Sequence, residues 1–339
     1  MATIRFIAFY PSRPFWAGSE IDFSDPKNLD NFENLMAEEV LSESNDTFCL
    51  KVCRDGMVML RLEALETESG SRLMPRDIEF TVKKWGQYLD FLNSFYLLLD
   101  SSTMRYMNFS YFNLHEITNR DAFEVNYENG KVAGQVVAAE SVTSVFQMAR
   151  IKATYGRFPI RNHPAIVTRR VISLEAIANA VTEFGHVVKR PGLEKVLATF
   201  TKSLAEYKVG NYETSIMLAW FISEAVIHKM WETCINSLLE DAGEVQQRIN
   251  SKRKHFLRGR DFPVAVVTNI LELFGILSLK LFKDVNTVRG WRNKIIHRDP
   301  AYSPKANDAH LAIATALELS RITDGIDFTP SFSYSIAGI

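Results

Sequence analysis

Cysteine is scarce in this chain of 339 residues. Cys49, Cys53 and Cys234 make no disulfide framework and fall short of a four-ligand zinc site, so they are expected to be reduced packing residues. Long uninterrupted hydrophobic runs are missing too. The most membrane-like stretch, residues 264–282, is broken by Asn269, Glu272 and Lys280, which favours a buried helix over a membrane span. The opening MATIRFIAFYPSRPFW lacks the basic-then-apolar layout of a signal peptide. A cytoplasmic protein with no membrane contact is therefore expected. Residues 1–150 contain no nucleophile elbow, P-loop, dinucleotide loop or metal cluster, and no internal repeat is visible. Neither a metal nor a cofactor is expected, and nothing in the first half suggests an enzyme.

What is present is divided by charge. The net charge of −1 hides 14 Lys and Arg against 22 Asp and Glu in residues 1–150, a net −8, and 25 against 18 in residues 151–339, a net +7. Opposite signs suggest different partners, with a polyanion binder at the C-terminal end. The other reading is that the acidic residues are solvated surface.

The fold expected is α+β, with a mixed hairpin and helix domain over residues 1–164, an all-α bundle over residues 165–325 and a tail over residues 326–339. Residues 2–9 suit a strand. Asp55-Gly56 between residues 47–53 and 57–65, and Asn129-Gly130 between residues 122–127 and 131–137, are signals for two-residue hairpin turns. Residues 78–99 space Trp85, Tyr88, Leu89, Leu92, Phe95, Tyr96 and Leu99 by threes and fours, the pattern of an amphipathic helix. Its aromatic face is either core or a ligand groove. Residues 151–172 read as a basic loop with Arg157, Arg161, Arg169 and Arg170. Helices follow from Ser173 to 187, from Pro191 to 207, from Gly210-Asn211 to 240, from Pro263 to 282, over 284–297 up to Pro300, and from Asn307-Asp308 to 323.

The chemistry-bearing stretch is Arg292-Asn293-Lys294-Ile295-Ile296-His297. Five residues on a helix separate two side chains by about 140° around the axis. Arg292 and His297 therefore meet only if the helix frays at His297, or if two copies of the helix end face each other across a symmetric dimer. Asn293, four residues before His297, shares its face and could orient the imidazole. A His can move the proton of a ribose 2′-hydroxyl and an Arg can hold the phosphate as charge builds, which suits metal-free RNA cleavage. Arg157 with His163 and Arg248 with His255 repeat the loose spacing, but only the Arg292 pair lies on an apolar-periodic helix, marked by Val285, Val288, Trp291 and Ile295.

On the earlier helix, Glu224 sits among Trp220, Ile227, His228 and Trp231. A carboxylate on that face needs a partner. His228 could supply it locally, or Arg292 or His297 from the other helix. Between the two helices, residues 247–261 collect Arg248, Lys252, Arg253, Lys254, Arg258 and Arg260 around His255 and Phe256. They make either a phosphate-tracking RNA contact with a stacking ring or a solvated loop.

Gly210-Asn211-Tyr212, then Ala219-Trp220 and Glu224, followed about seventy residues later by Arg292-Asn293-x-x-x-His297, resembles the HEPN superfamily. More narrowly, it is similar to the HEPN domains beside variable N-terminal domains in antiviral and abortive-infection proteins. The resemblance covers roughly residues 165–325 and nothing before. It implies a homodimeric helical bundle with two Arg–His motifs facing across a cleft and metal-independent endoribonuclease activity. Arg292 and His297 would be catalytic and Asn293 supporting, while Glu224, or Glu213 on the same helix, corresponds to the acidic residue of some members. The chain as a whole would be an RNA-cutting toxin or defence effector, its N-terminal domain sensing a protein or phage-derived trigger. The alternatives are a module that holds RNA or a nucleotide without cutting, and a dimerisation scaffold serving the N-terminal domain.

Overall fold

The computed structural model describes residues 4–67, 78–128, 130–136, 168–240, 251–258 and 262–334. The chain divides into two compact units, residues 1–201 with 328–333 and residues 202–327 with 334–339. The first runs β1 (Ile4–Phe9), β2 (Phe15–Ala17), α1 (Pro26–Asp30), α2 (Phe32–Met36), β3 (Glu39–Ser44), β4 (Phe48–Cys53), β5 (Val58–Leu62), α3 (Glu63–Thr67), α4 (Ile78–Met107), β6 (Phe123–Glu128), β7 (Lys131–Val136), β8 (Arg170–Ile172) and α5 (Leu174–Val188). The division falls inside α6 (Leu193–Lys208).

Six strands form one antiparallel sheet in the order β3-β4-β5-β1-β6-β7, and β2 pairs in parallel with β8. Because successive strand residues point to opposite faces, β1 serves two cores. Phe6 and Ala8 join a cluster with Trp16, Phe23, Phe32 and Met59. Phe9 meets Tyr96 of α4 at 5.6 Å between ring centroids. Tyr88, Leu92, Phe95, Tyr96 and Leu99 of α4 are all buried, so the aromatic stripe is core.

Helix α5 packs on α4, where its Phe184 lies 5.6 Å from Phe95 and 5.3 Å from Phe48. The first helix after residue 165 thus belongs to the core of the first unit. The division between the two compact units falls after residue 201. The tail is shared out in the same way: Phe328 stands edge-on to Phe200 in the first unit, and Tyr334 stacks on Tyr207 in the second.

Two turns repay inspection. Glu128 of β6 pairs with Lys131 of β7, while Asn129 of the turn expected between them lies outside the described residues. The Asp55-Gly56 turn is longer than expected. Cys53 N–H donates to Met57 O at 2.9 Å around Arg54, Asp55 and Gly56, a three-residue loop. Gly56 takes φ +84°, and a Cβ there would lie 2.7 Å from the Phe15 ring, so glycine is required on both counts.

The second unit holds, among its described residues, only helices and connections: the end of α6, α7 (Tyr212–Glu240), α8 (Ser251–Leu257), α9 (Val264–Leu273), α10 (Leu279–Ile296) and α11 (Ala306–Asp324). The α11 helix packs on α7 and α10, and α9 packs on α7 and α10. The break expected between helices 263–282 and 284–297 lies instead at residues 274–278, so residues 279–282 open the helix that carries Arg292. Phe274 closes α9, Gly275 turns at φ +70°, and Ser278 caps α10 by accepting from Leu281 N–H at 3.2 Å. The mainly apolar composition of residues 264–282 hides both stop and start signals. No described helix is long and apolar enough to cross a membrane.

Candidate functional site

Three helices of the second unit enclose a cleft of about 410 Å³. Helix α7 contributes Trp220 and Glu224, four residues apart and so on one face. Pro263, Val264 and Ala265 bring in the start of α9, and α10 supplies Arg289, Arg292 and Asn293. Sequence spacing places Arg289 on the face of Arg292, three residues on, but gives no reason to single it out.

The polar groups of this cleft are poorly supplied with partners. Trp220 is only 2% exposed, yet its indole N–H finds no hydrogen-bond partner among the described residues. Trp231, lower on the same helix, donates to Leu257 O at 2.9 Å. The Nε of partly buried Arg292 also has no partner, while its Nη1 donates to Asn293 Oδ1 at 3.0 Å. A buried donor left in this state costs about 1–3 kcal/mol. At the start of α9, Val266 and Val267 N–H both donate to Pro263 O. The amides of Val264 and Ala265 precede that ladder, and the N-cap Pro263 offers no capping side chain.

Glu224 lines the cleft and is partly buried. Among the described residues no hydrogen bond or ion pair joins it to His228, Arg292 or His297, so neither pairing considered for it is made. His228 is exposed. Glu213 is exposed in the first turn of α7, about 16 Å up the helix from Glu224 at 1.5 Å per residue, and does not line the cleft.

His297 is exposed at the end of α10 and does not line the cleft either. The helix end is closed rather than frayed. His297 N–H donates to Asn293 O at 2.9 Å, Arg298 N–H to Ile295 O at 3.1 Å and Asp299 N–H to Lys294 O at 2.9 Å. Arg298 takes φ +51° to make this turn, the left-handed closure usually given to glycine. The Asn293 carboxamide is held by Arg292 and makes no hydrogen bond to the His297 ring.

The basic connector is described in part. Arg248, Arg260 and the side chains of Lys252 and Lys254 lie outside the described residues, as do Arg157 and Arg161 of the earlier loop. Arg253 is exposed, and Arg258 pairs with Glu232. Phe256, half exposed, stands edge-on to Phe262, which stacks on Trp231. Among the described residues no three His, Cys, Asp or Glu side chains group as a metal site.

A second set of buried polar groups lies in the first unit. Asp55, 4% exposed, accepts from Tyr10 Oη at 2.8 Å through one carboxylate oxygen and from Met57 N–H at 3.0 Å through the other. Arg169, which the sequence puts in a basic loop, is buried. It donates to Asp55 O at 3.0 Å and lies 4.7 Å from the Trp16 ring centre. Burial pushes the Asp55 carboxyl above its ordinary value, against the opposing pull of Arg169. Burial raises the Tyr10 phenol too, helped by Asp55.

No family model matches the chain, and no curated protein or solved structure does so either.

Proposed function

We propose that the second unit is a metal-independent endoribonuclease of the HEPN kind, with Arg292 and His297 as its catalytic pair. The observation that carries this reading is the state of Arg292. It is partly buried at a cleft, its Nε lacks a partner among the described residues, and the nearby Glu224 does not neutralise it. A guanidinium so prepared suits a phosphate on which charge grows in the transition state. His297, exposed on the same helix, takes the proton of the ribose 2′-hydroxyl. The freed oxygen attacks the adjacent phosphorus, the 5′-oxygen leaves and takes up the proton that the imidazole gained, and a 2′,3′-cyclic phosphate results. RNA carries this nucleophile itself, so the reaction needs neither metal nor cofactor.

The closed end of α10 supports a two-copy site. Without fraying, the route left for Arg292 of one copy to work with His297 of another is a symmetric homodimer. The connector with Arg253 would then hold the RNA backbone. The cellular role, a cytoplasmic toxin or antiviral effector whose first unit senses a protein or phage-derived trigger, rests on the HEPN resemblance alone.

His297→Ala should lower RNA cleavage by about 10²–10⁴-fold while circular dichroism and oligomeric state stay as in wild type. Cleavage at the wild-type rate in that variant, with EDTA present, would end the assignment. A non-catalytic RNA- or nucleotide-binding module is the second reading, favoured by the absence of His297 from the cleft lining. Under it, wild type retains RNA on a filter and leaves it uncut.

A further inference from the structure

Holding a phosphate uses Arg292 and leaves most of the cleft unexplained. Beside the Asn293 carboxamide, which already accepts from Arg292, its remaining polar groups are several donors and one carboxylate acceptor. The donors are the amides at the start of α9, where the N-cap makes no side-chain cap bond, and Arg289. The acceptor is the Glu224 carboxylate. Trp220, Pro263 and Val264 add flat or apolar surface. A second phosphate would satisfy the donors but set like charge against Glu224. A planar group with carbonyl and ring-nitrogen acceptors on one edge, and two adjacent N–H donors on another, satisfies both.

Among the RNA bases, guanine alone has that layout. Its N1–H and N2 amine stand side by side and match the two oxygens of a carboxylate, while O6 and N7 match an arginine or backbone amides. Adenine presents one amine beside an acceptor nitrogen. Uracil and cytosine present one donor group beside a carbonyl or ring acceptor. Each leaves one carboxylate oxygen facing a lone pair. We infer that the cleft is a guanine subsite, in which Glu224 takes the N1 and N2 donors and Arg289 and the start of α9 take O6 and N7, so that RNA is cut beside guanine. The inference rests on the endoribonuclease reading for its RNA source, but not for the base recognition itself.

The test measures binding of 3′-GMP, 3′-AMP, 3′-UMP, 3′-CMP and 3′-IMP to the full chain by calorimetry. The expected result is a preference for 3′-GMP of about tenfold or more over every other nucleotide, 3′-IMP included because it lacks the N2 amine. Glu224→Gln should erase that preference, and His297→Ala should keep it. Equal affinity for the five, or no binding of any, overturns the subsite. Cleavage of an oligoribonucleotide with a single guanine, compared with inosine at the same place, then reports the source. A cut beside guanine that is lost with inosine supports the RNA assignment. Cutting indifferent to the replacement overturns it, even where 3′-GMP binds. Guanine preference in a protein that cuts no RNA brings down the nuclease reading and leaves base recognition standing.

Discussion

Two buried polar groups, the Asp55 carboxylate of the first unit and the Trp220 indole N–H of the second, are treated in opposite ways. Around Asp55 the carboxylate accepts from Tyr10 and Met57, and Arg169 is tied to the same loop. Around Trp220 and Arg292 the donors are buried without partners among the described residues. A buried polar group that is fully engaged contributes to one folded arrangement. One that is left open costs stability and is kept where a ligand completes it. That difference sets the Asp55 carboxylate, engaged within the fold, apart from the Trp220 indole N–H, which belongs to a residue lining the candidate site.

The comparison can be broken most severely at Arg292. Arg292→Ala should reduce single-turnover RNA cleavage by about 10²–10³-fold. Urea unfolding should change by no more than about 0.5 kcal/mol, because no ion pair is lost. Asp55→Ala should do the reverse. It removes two accepted hydrogen bonds in the core, at a cost of about 3 kcal/mol in urea unfolding, and leaves cleavage per folded molecule unchanged. If the two variants exchanged these effects, the distinction between the networks would collapse.

A pH series sharpens it. The folded-state value of Asp55 lies above its unfolded one, so its neutral form favours folding most fully below the unfolded value. As pH rises through the window between the two, the unfolded chain gives up its proton first and stability falls. Above the folded value the loss is constant. Asp55→Asn should lack this decline, as paired thermal melts across that window would reveal. A parallel decline in both proteins would mean that Asp55 is not its source.

The smallest effect compares two tryptophans. Trp231→Phe loses the bond to Leu257 O, whereas Trp220→Phe loses an indole N–H with no partner among the described residues. The first should therefore cost about 1 kcal/mol more than the second in denaturant unfolding. Equal costs would mean that the Trp220 N–H is satisfied in solution.

How much of this the sequence reveals depends on the range of the interaction. Local signals are legible: Ser173 caps α5, the spacing of Tyr88, Leu92, Phe95 and Leu99 marks the buried face of α4, and Arg292 and Glu224 stand out on their helices. Signals inside an apolar run are not. Gly275 and Ser278 end one helix and begin the next, but Val264 to Phe282 reads as one because both pieces are apolar. What depends on tertiary approach is hidden altogether. Arg169 looks like one more cation in a basic loop until β8 pairs with β2 and buries it against Trp16. The start of α9 belongs to the cleft only because α9 packs on α7 and α10. Whether an indole N–H has a partner is decided by a carbonyl from elsewhere in the chain.

The left-handed Arg298 limits how the His297 side chain can move. With three successive amides beyond Ile296 bonded back into the helix, local opening at His297 must break a closed turn rather than peel a loose end. These amides should exchange with solvent deuterium more slowly than their exposure suggests. The imidazole is left with its own two side-chain torsions, a search completed in picoseconds to nanoseconds. In the proposed nuclease, any slower step would then belong to RNA or to the assembly of copies, not to the backbone that carries the histidine.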